Sequence, residues 1–209
     1  MPSRRPFLIG IAGPSCSGKT RLAQSLAAAL SAPVLALDSY YIDLAHLPFE
    51  KRGGTNFDEP ASLDYELILH HAGELAEGRP VDRPIYDFAR HTRTADVERI
   101  GPAEFVIMEG LLTLHWPELR RMFGVRVFID VPDDIGFERR SRRDVVERGR
   151  TPESVLIQYD RTVRPMASLY VMPTRRFADV VVSGEDPVEV SARAVLVFVN
   201  KATGASGAE

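Results

Sequence analysis

The sequence contains a single cysteine, Cys16, among its 209 residues. An internal disulfide bond is therefore excluded, and a lone thiol is typical of proteins in a reducing compartment. A basic excess is also absent, because the formal net charge is -3 and the pI is about 6.0, which argues against a general nucleic-acid-binding protein. No apolar run approaches the roughly 20 residues of a membrane span. We therefore expect a soluble cytoplasmic protein that has neither nucleic acid nor a membrane as a partner.

The pattern of apolar residues indicates one α/β domain. A hydrophobic content of 44% is enough for one core, so residues 1–209 are expected to form a single domain. Apolar runs without alternation, as in a parallel sheet covered on both faces, occupy residues 7–13, 33–38, 104–110, 125–130 and 178–184. Helical patterns occupy residues 19–30, 62–77, 132–147, 152–170 and 187–201. This alternation predicts a doubly wound parallel sheet of about five strands with helices on both faces.

Two segments fall outside this alternation. Residues 79–100 are rich in prolines, aromatics and β-branched residues, and they predict a β-hairpin that projects from the main sheet. Residues 202–209 are mostly small and polar, so we expect a flexible tail there.

The segment from Gly13 to Thr20 matches the phosphate-loop pattern G-x-x-x-x-G-K-[ST]. It follows a predicted strand and opens a predicted helix, which is the context that gives the motif its meaning. Its backbone N–H groups and the helix N-terminus would bind the phosphates of ATP or GTP. The candidate nucleotide-binding residues are Gly13, Pro14, Ser15, Cys16, Ser17, Gly18, Lys19 and Thr20. Lys19 would reach the β- and γ-phosphates, Thr20 would hold Mg²⁺, and Cys16 is expected to contribute only its backbone.

A phosphate loop alone is compatible with a GTPase, an ATP-driven machine or a small-molecule kinase. The Asn-Lys-x-Asp segment with which GTPases read guanine is absent, and machine ATPases are usually larger. The size of the chain therefore favours a kinase. Among kinases, one that acts on a sugar phosphate or pantothenate remains an alternative, as does a regulatory nucleotide-binding protein that has lost catalysis.

Two acidic residues end predicted strands. Asp38 ends the second run and Glu109 ends the third, and ligands of open α/β sheets bind at the carboxyl ends of the strands. We assign Asp38 as the base that accepts the proton of the acceptor hydroxyl. Thr20, Glu109 and Asp38 are the candidate surroundings of Mg²⁺, with Glu109 in its outer shell. The alternative for both carboxylates is a local cap on backbone N–H groups.

Further motifs occur in order along the chain: LDSYYIDL (37–44), TNFDEP (55–60), PIYDFARHTR (84–93), MEG (108–110), RRSRRDVVERGR (139–150), QYDRTVRPM (158–166) and FADVVV (177–182). Together they resemble the uridine kinase (uridine–cytidine kinase) family, from Phe7 to about Pro187. The resemblance implies a P-loop kinase with a substrate-binding hairpin and an arginine-rich helical lid, within residues 132–170. It also implies transfer of phosphate from ATP or GTP, with Mg²⁺, to the 5′-hydroxyl of uridine and cytidine. Members of the family are commonly homotetramers.

The resemblance also implies roles for individual residues. Asp38 would be the catalytic base, as its position at a strand end indicates. The residues that would contact the ribose or the base are Asp58, Tyr86, His91, Arg140, Arg150 and Gln158. Arg143 and Arg148 match lid arginines near the phosphates, and Arg148 is a candidate catalytic residue beside Lys19 and Asp38. Asp186 falls near a position that contacts the nucleotide, but its spacing to Pro187 and Glu189 also predicts a helix cap.

Overall fold

The structure is a computed structural model that describes residues 5–204. Its strands are β1 (Phe7–Ala12), β2 (Val34–Ala36), β3 (Val81–Asp87), β4 (Thr92–Ile100), β5 (Phe105–Glu109), β6 (Phe123–Asp130) and β7 (Val180–Ser183). Its α-helices are α1 (Lys19–Leu30), α2 (Phe49–Arg52), α3 (Tyr65–Ala76), α4 (Pro117–Met122), α5 (Asp133–Arg148), α6 (Pro152–Gln158), α7 (Arg164–Met166) and α8 (Val188–Thr203). Short 3₁₀ segments occupy Leu37–Tyr40, Pro60–Ser62 and Met172–Phe177. Within the described residues, no helix is long and apolar enough to cross a membrane.

The main sheet has five strands in the order β2-β5-β1-β6-β7, and each neighbouring pair is parallel. The central strand β1 is buried along almost its whole length. Leu8 and Ala12 pack into the core on one side, whereas Ile9 and Ile11 pack into the core on the other. Burial on both faces explains why the run lacks polar alternation. The doubly wound α/β fold is therefore confirmed.

Aromatic rings pack directly over glycines where β1 pairs with β6. A Cβ atom on Gly10 would lie 2.6 Å from the ring of Phe123, and one on Gly124 would lie 2.3 Å from the ring of Phe7. Each aromatic ring thus covers a glycine of the other strand. A larger residue at either glycine would displace a ring from the core.

The predicted hairpin is confirmed as a separate antiparallel pair, β3–β4, with Val81 opposite Ile100. Arg93 attaches it to the main body. Its guanidinium donates to the carbonyls of Tyr41 (3.0 Å) and Tyr40 (3.1 Å), and it forms an ion pair with Asp64 (3.1 Å). The hairpin is therefore attached to the segment that follows Asp38.

The continuous helix predicted over residues 152–170 is wrong in detail. The path is helical, but π-helical turns at Tyr159–Val163 and Ala167–Val171 interrupt it. Pro165 lies between these turns, and proline has no N–H to donate while its ring crowds the preceding turn. The start of the segment is confirmed, because the Thr151 side chain accepts a hydrogen bond from the Ser154 N–H ahead of α6.

Two expectations near the carboxyl end also need correction. The helix α8 begins at Val188, so Pro187 occupies the cap position and no side chain caps the helix. The capping role expected of Asp186 is therefore wrong. The helix also continues to Thr203, which places residues 202–203 in a helix rather than in a tail. Residues 205–209 of the expected tail lie outside the described residues.

Candidate active site

The phosphate loop joins β1 to α1 at the carboxyl end of the central strand. Gly18 has φ +99° at the start of α1, a conformation that glycine adopts readily. Gly13 lies so close to β6 that a Cβ atom there would be 2.5 Å from the carbonyl oxygen of Ile129. Cys16 also has a positive φ of 58°. The loop therefore has the strand–loop–helix setting that phosphate binding requires.

Side chains of the loop contact the end of β5. The Lys19 ammonium donates to the carbonyl of Pro14 at 2.8 Å, and the Thr20 hydroxyl donates to Glu109 Oε1 at 3.1 Å. Burial lowers the pKa of Lys19, and the negative charges of Glu109 and Asp38 oppose that shift. Burial likewise raises the pKa of Glu109, and Lys19 opposes it. The structure thus brings Lys19, Thr20, Glu109 and Asp38 together.

The donor set fits Mg²⁺. Among residues 5–204, no group of three or more His, Cys, Asp and Glu side chains is placed to hold a metal ion alone. Mg²⁺ bound with a nucleotide usually takes one or two protein ligands, with phosphates and waters completing its shell. The Thr20 hydroxyl beside the Glu109 carboxylate matches that requirement.

Two further carboxylates face the same region, and within residues 5–204 no group donates a hydrogen bond to either one. Asp38 lies in the 3₁₀ segment after β2 and is open to solvent, yet the surrounding protein raises the pKa of its carboxyl, against the charges of Lys19 and Arg148. Asp58 is only 8% exposed. Burial raises the pKa of Asp58, and the charge of Arg140 opposes this. Both carboxylates are free acceptors for a ligand that carries hydroxyl groups.

Arginines in α5 and just after it form a cluster that contacts the phosphate loop through Arg140. Arg140 donates to Ser15 Oγ at 2.9 Å and to Gln158 Oε1 at 3.1 Å. Arg150 also donates to Gln158. The positive charges of Arg148 and Arg143 favour the ionised form of Asp38 and so oppose the rise of its pKa. The sequence assigned these four arginines and Gln158 to substrate and phosphate contacts. The structure places all five side chains at one site.

Aromatic residues close the other end of the site. The ring of His91 stacks on Phe57 with centroids 5.0 Å apart. The ring of Tyr86 packs against Tyr41 and Phe88, each at 5.4 Å, and its buried hydroxyl has no hydrogen-bond partner among the described residues. Burial lowers the pKa of His91, so its imidazole is neutral near pH 7 and offers one donor and one acceptor.

Asp186 is the sequence-assigned site residue that the structure does not bring into these contacts. It is exposed, and it makes no hydrogen bond or ion pair within residues 5–204. Its loop nevertheless touches the phosphate loop, since a Cβ atom on Gly184 would lie 2.6 Å from the Ser17 carbonyl oxygen. Sequence reasoning missed Asp144, which is buried among the arginines. The available signal was its place as the first acidic residue of RRSRRDVVERGR.

Comparison with known proteins agrees with this geometry. A sequence model of the Phosphoribulokinase / Uridine kinase family matches residues 8–191. The chain is 45% identical to the uridine kinase of Chloroflexus aurantiacus over 193 residues, which cover 90% of this chain and 92% of that protein. It is 41% identical to the uridine kinase of Ligilactobacillus salivarius over 191 residues, covering 89% and 90% of the two chains. Phosphoribulokinase from Rhodobacter spheroides shares the fold, with a TM-score of 0.64 at 12% identity over 89% of this chain and 75% of that one. The chain therefore belongs to the Phosphoribulokinase / Uridine kinase family.

Proposed function

We propose that the protein transfers the γ-phosphate of ATP to the 5′-hydroxyl of uridine and cytidine. One observation carries this proposal. Lys19 of the phosphate loop is close enough to act on the charges of Asp38 and Asp58, and Tyr41 lies near both carboxylates and packs against Tyr86 of the hairpin. A nucleoside presents its 5′-hydroxyl, ribose and base in the corresponding order. The names of the relatives at 41–45% identity support the same substrate class.

In this arrangement the nucleoside is held along its length. Asp58 accepts hydrogen bonds from the ribose hydroxyls, and Arg140, Arg150 and Gln158 make further contacts with the substrate. His91 and Tyr86 meet the edge of the pyrimidine. We expect purine nucleosides to be rejected, because a base site built for a single ring does not admit a second one.

The transfer step then needs two actions from the chain, which are acceptance of a proton and stabilisation of negative charge. The 5′-oxygen attacks the γ-phosphorus as the bond to the β–γ bridging oxygen breaks, and ADP leaves with that electron pair. Asp38 accepts the proton of the hydroxyl, and its raised pKa suits that task. Lys19, Arg143 and Arg148 stabilise the negative charge on the transferring group.

Mg²⁺ would be held by Thr20 beside Glu109 and Asp38, where it neutralises phosphate charge when bound with the nucleotide. ATP follows from the family, whereas GTP as a second donor is a prediction. A homotetramer and a cytoplasmic location also stay predictions. The role of Asp186 at the nucleotide is an expectation with no contact to support it.

The test is an acceptor panel with ATP and Mg²⁺, read by ADP release and by ³¹P NMR of the product. Uridine and cytidine should give 5′-monophosphates, and adenosine should give none. Lys19→Ala purified in parallel controls for contaminating host kinases. Phosphorylation of a sugar phosphate or pantothenate in place of the nucleosides would overturn the proposal.

A further inference from the structure

Asp144 occupies the centre of the arginine cluster. Its side chain is 0% exposed, although most residues of helix α5 are at least partly exposed to solvent. Four guanidinium groups surround its carboxylate, at 2.8 Å (Arg143), 3.3 Å (Arg150), 3.5 Å (Arg148) and 3.6 Å (Arg140). These are the arginines that the sequence assigned to substrate and phosphate contacts. Asp144 has no assigned role.

The local sequence explains why one carboxylate reaches so many arginines. Arg140 and Arg148 lie four residues before and after Asp144, so all three share one face of the helix. Gly149 then ends the helix with φ +61°. This turn brings the backbone N–H of Arg150 to the carbonyl of Asp144 at 3.1 Å and returns its side chain to the cluster.

The four arginines need the negative charge of Asp144 between them. Four positive groups around one negative group leave a cluster of net charge +3, which attracts phosphates. Without the carboxylate the four cations would repel one another in a partly buried site. Burial opposes ionisation of Asp144, but the hydrogen bond and charge of Arg143, with the charges of Arg140 and Arg148, hold its pKa below the usual range.

The cluster retains donors for a ligand. Arg148 and Arg143 have side chains that are 48% and 30% exposed, so the cluster does not bury either of them fully. Arg140 is committed to Ser15 of the phosphate loop and to Gln158. Arg140, which is buried, and the partly exposed Arg143 and Arg148 are thus all held by the carboxylate of Asp144.

We propose that Asp144 is a positioning residue for phosphoryl transfer, whose buried carboxylate holds Arg143 and Arg148 at the transferring phosphate and Arg140 at the phosphate loop. This inference rests on the proposed kinase activity. Asp144 touches no reacting atom and acts through the arginines. A residue that only stabilised the fold of α5 would lower the population of folded enzyme but leave the turnover of folded molecules unchanged.

The experiment compares Asp144→Asn, Asp144→Glu and the control Asp179→Asn. The control breaks another arginine–carboxylate pair, with Arg126 at 2.6 Å, and should keep wild-type kcat. Asp144→Asn keeps the size of the side chain and removes its charge. Its kcat should fall roughly 10²-fold through misplaced arginines, whereas ADP affinity measured by calorimetry should change less than about threefold, because the cluster keeps its positive charge. Asp144→Glu, which keeps the charge one methylene farther out, should give an intermediate kcat.

A second measurement is independent of the acceptor. Arg143 Nε donates to Asp144 Oδ1 at 3.0 Å, so its Nε–H should give a protected ¹⁵N–¹H signal. In Asp144→Asn the acceptor is a neutral and weaker amide oxygen, so that protection should fall. Wild-type kcat in folded Asp144→Asn, or an equal loss of kcat and ADP affinity, would overturn the inference. If Asp144→Asn does not fold, wild-type kcat in folded Asp144→Glu would do so. If uridine is not a substrate, the proposed function fails, and the comparison is made with the best acceptor of the panel.

Discussion

Replacing Asp58 with asparagine should weaken the discrimination between ribonucleosides and 2′-deoxyribonucleosides. The Asp58 carboxylate is 8% exposed, and within residues 5–204 no group donates a hydrogen bond to it. Water has little access to replace a lost ligand hydroxyl there. A substrate without its 2′-hydroxyl would therefore leave a buried charged acceptor unpaired.

The size of the effect follows from the charge of the acceptor. A hydrogen bond to a charged group contributes about 1.5–3 kcal/mol, so wild-type enzyme should prefer uridine to 2′-deoxyuridine roughly 13- to 160-fold in kcat/KM. A neutral hydrogen bond contributes about 0.5–1.5 kcal/mol, and Asp58→Asn should reduce the preference to roughly 2- to 13-fold.

The same substitution should stabilise the unliganded protein. Burial raises the pKa of Asp58, so the folded state binds this proton more tightly than the unfolded state does. The stability gained from that proton is present at low pH and is lost as the pH rises through the folded pKa. At pH 8 Asp58→Asn should therefore raise the free energy of unfolding by up to about 2 kcal/mol, and with it the melting temperature. This gain in stability should shrink toward pH 5.

Competition assays with the two nucleosides and thermal melts at both pH values make the test. Glu59→Gln is the matched control, because it neutralises the adjacent acid, whose Oε2 accepts from Asn56 at 3.3 Å. The control should keep the wild-type preference. An unchanged preference in Asp58→Asn would show that Asp58 does not contact the ribose.

Four further predictions concern the rest of the site. Lys19→Ala should lower kcat roughly 10²-fold or more while the circular dichroism spectrum is retained, and near-normal turnover would contradict the phosphate-loop assignment. Because the pKa of Asp38 is raised, the acid limb of the kcat/KM–pH profile should lie above the ordinary aspartate range, and Asp38→Asn should lose kcat with little change in uridine affinity by calorimetry. His91→Phe should lower kcat/KM for both uridine and cytidine by about 1–3 kcal/mol, and unchanged kinetics would remove His91 from the base site. Gly184→Ala should weaken ADP binding by about 1–3 kcal/mol, as measured by calorimetry, since its Cβ would lie 2.6 Å from the Ser17 carbonyl oxygen.

The sequence was most informative where a local pattern determines the outcome. The helix that starts at Lys19 follows directly from the phosphate-loop motif, and both of its predicted bounds agree with the structure. Strand β1 was predictable because burial on both faces leaves no polar alternation. The hairpin was recognisable from its β-branched and aromatic residues, and its two strands lie within the predicted segment.

Features that depend on distant partners were not predictable in this way. Arg93 attaches the hairpin through backbone carbonyls of Tyr40 and Tyr41, and any residue could supply a carbonyl. The central place of Asp144 depends on the turn at Gly149, which returns Arg150 to the helix. In RRSRRDVVERGR alone, the same residues are typical of a solvated helix face.

The position of β1 in the sheet has a consequence for synthesis of the chain. This strand lies between β5 and β6, so the segment that carries the phosphate loop leaves the ribosome long before either neighbour exists. At about 5–20 residues per second, the ribosome needs roughly 6–24 s to add the chain from the end of β1 to the end of β6. Until β5 has been added, the apolar segment FLIGIA has neither partner strand and its apolar side chains stay uncovered by the sheet. The nucleotide site can form only after well over half of the protein has been translated.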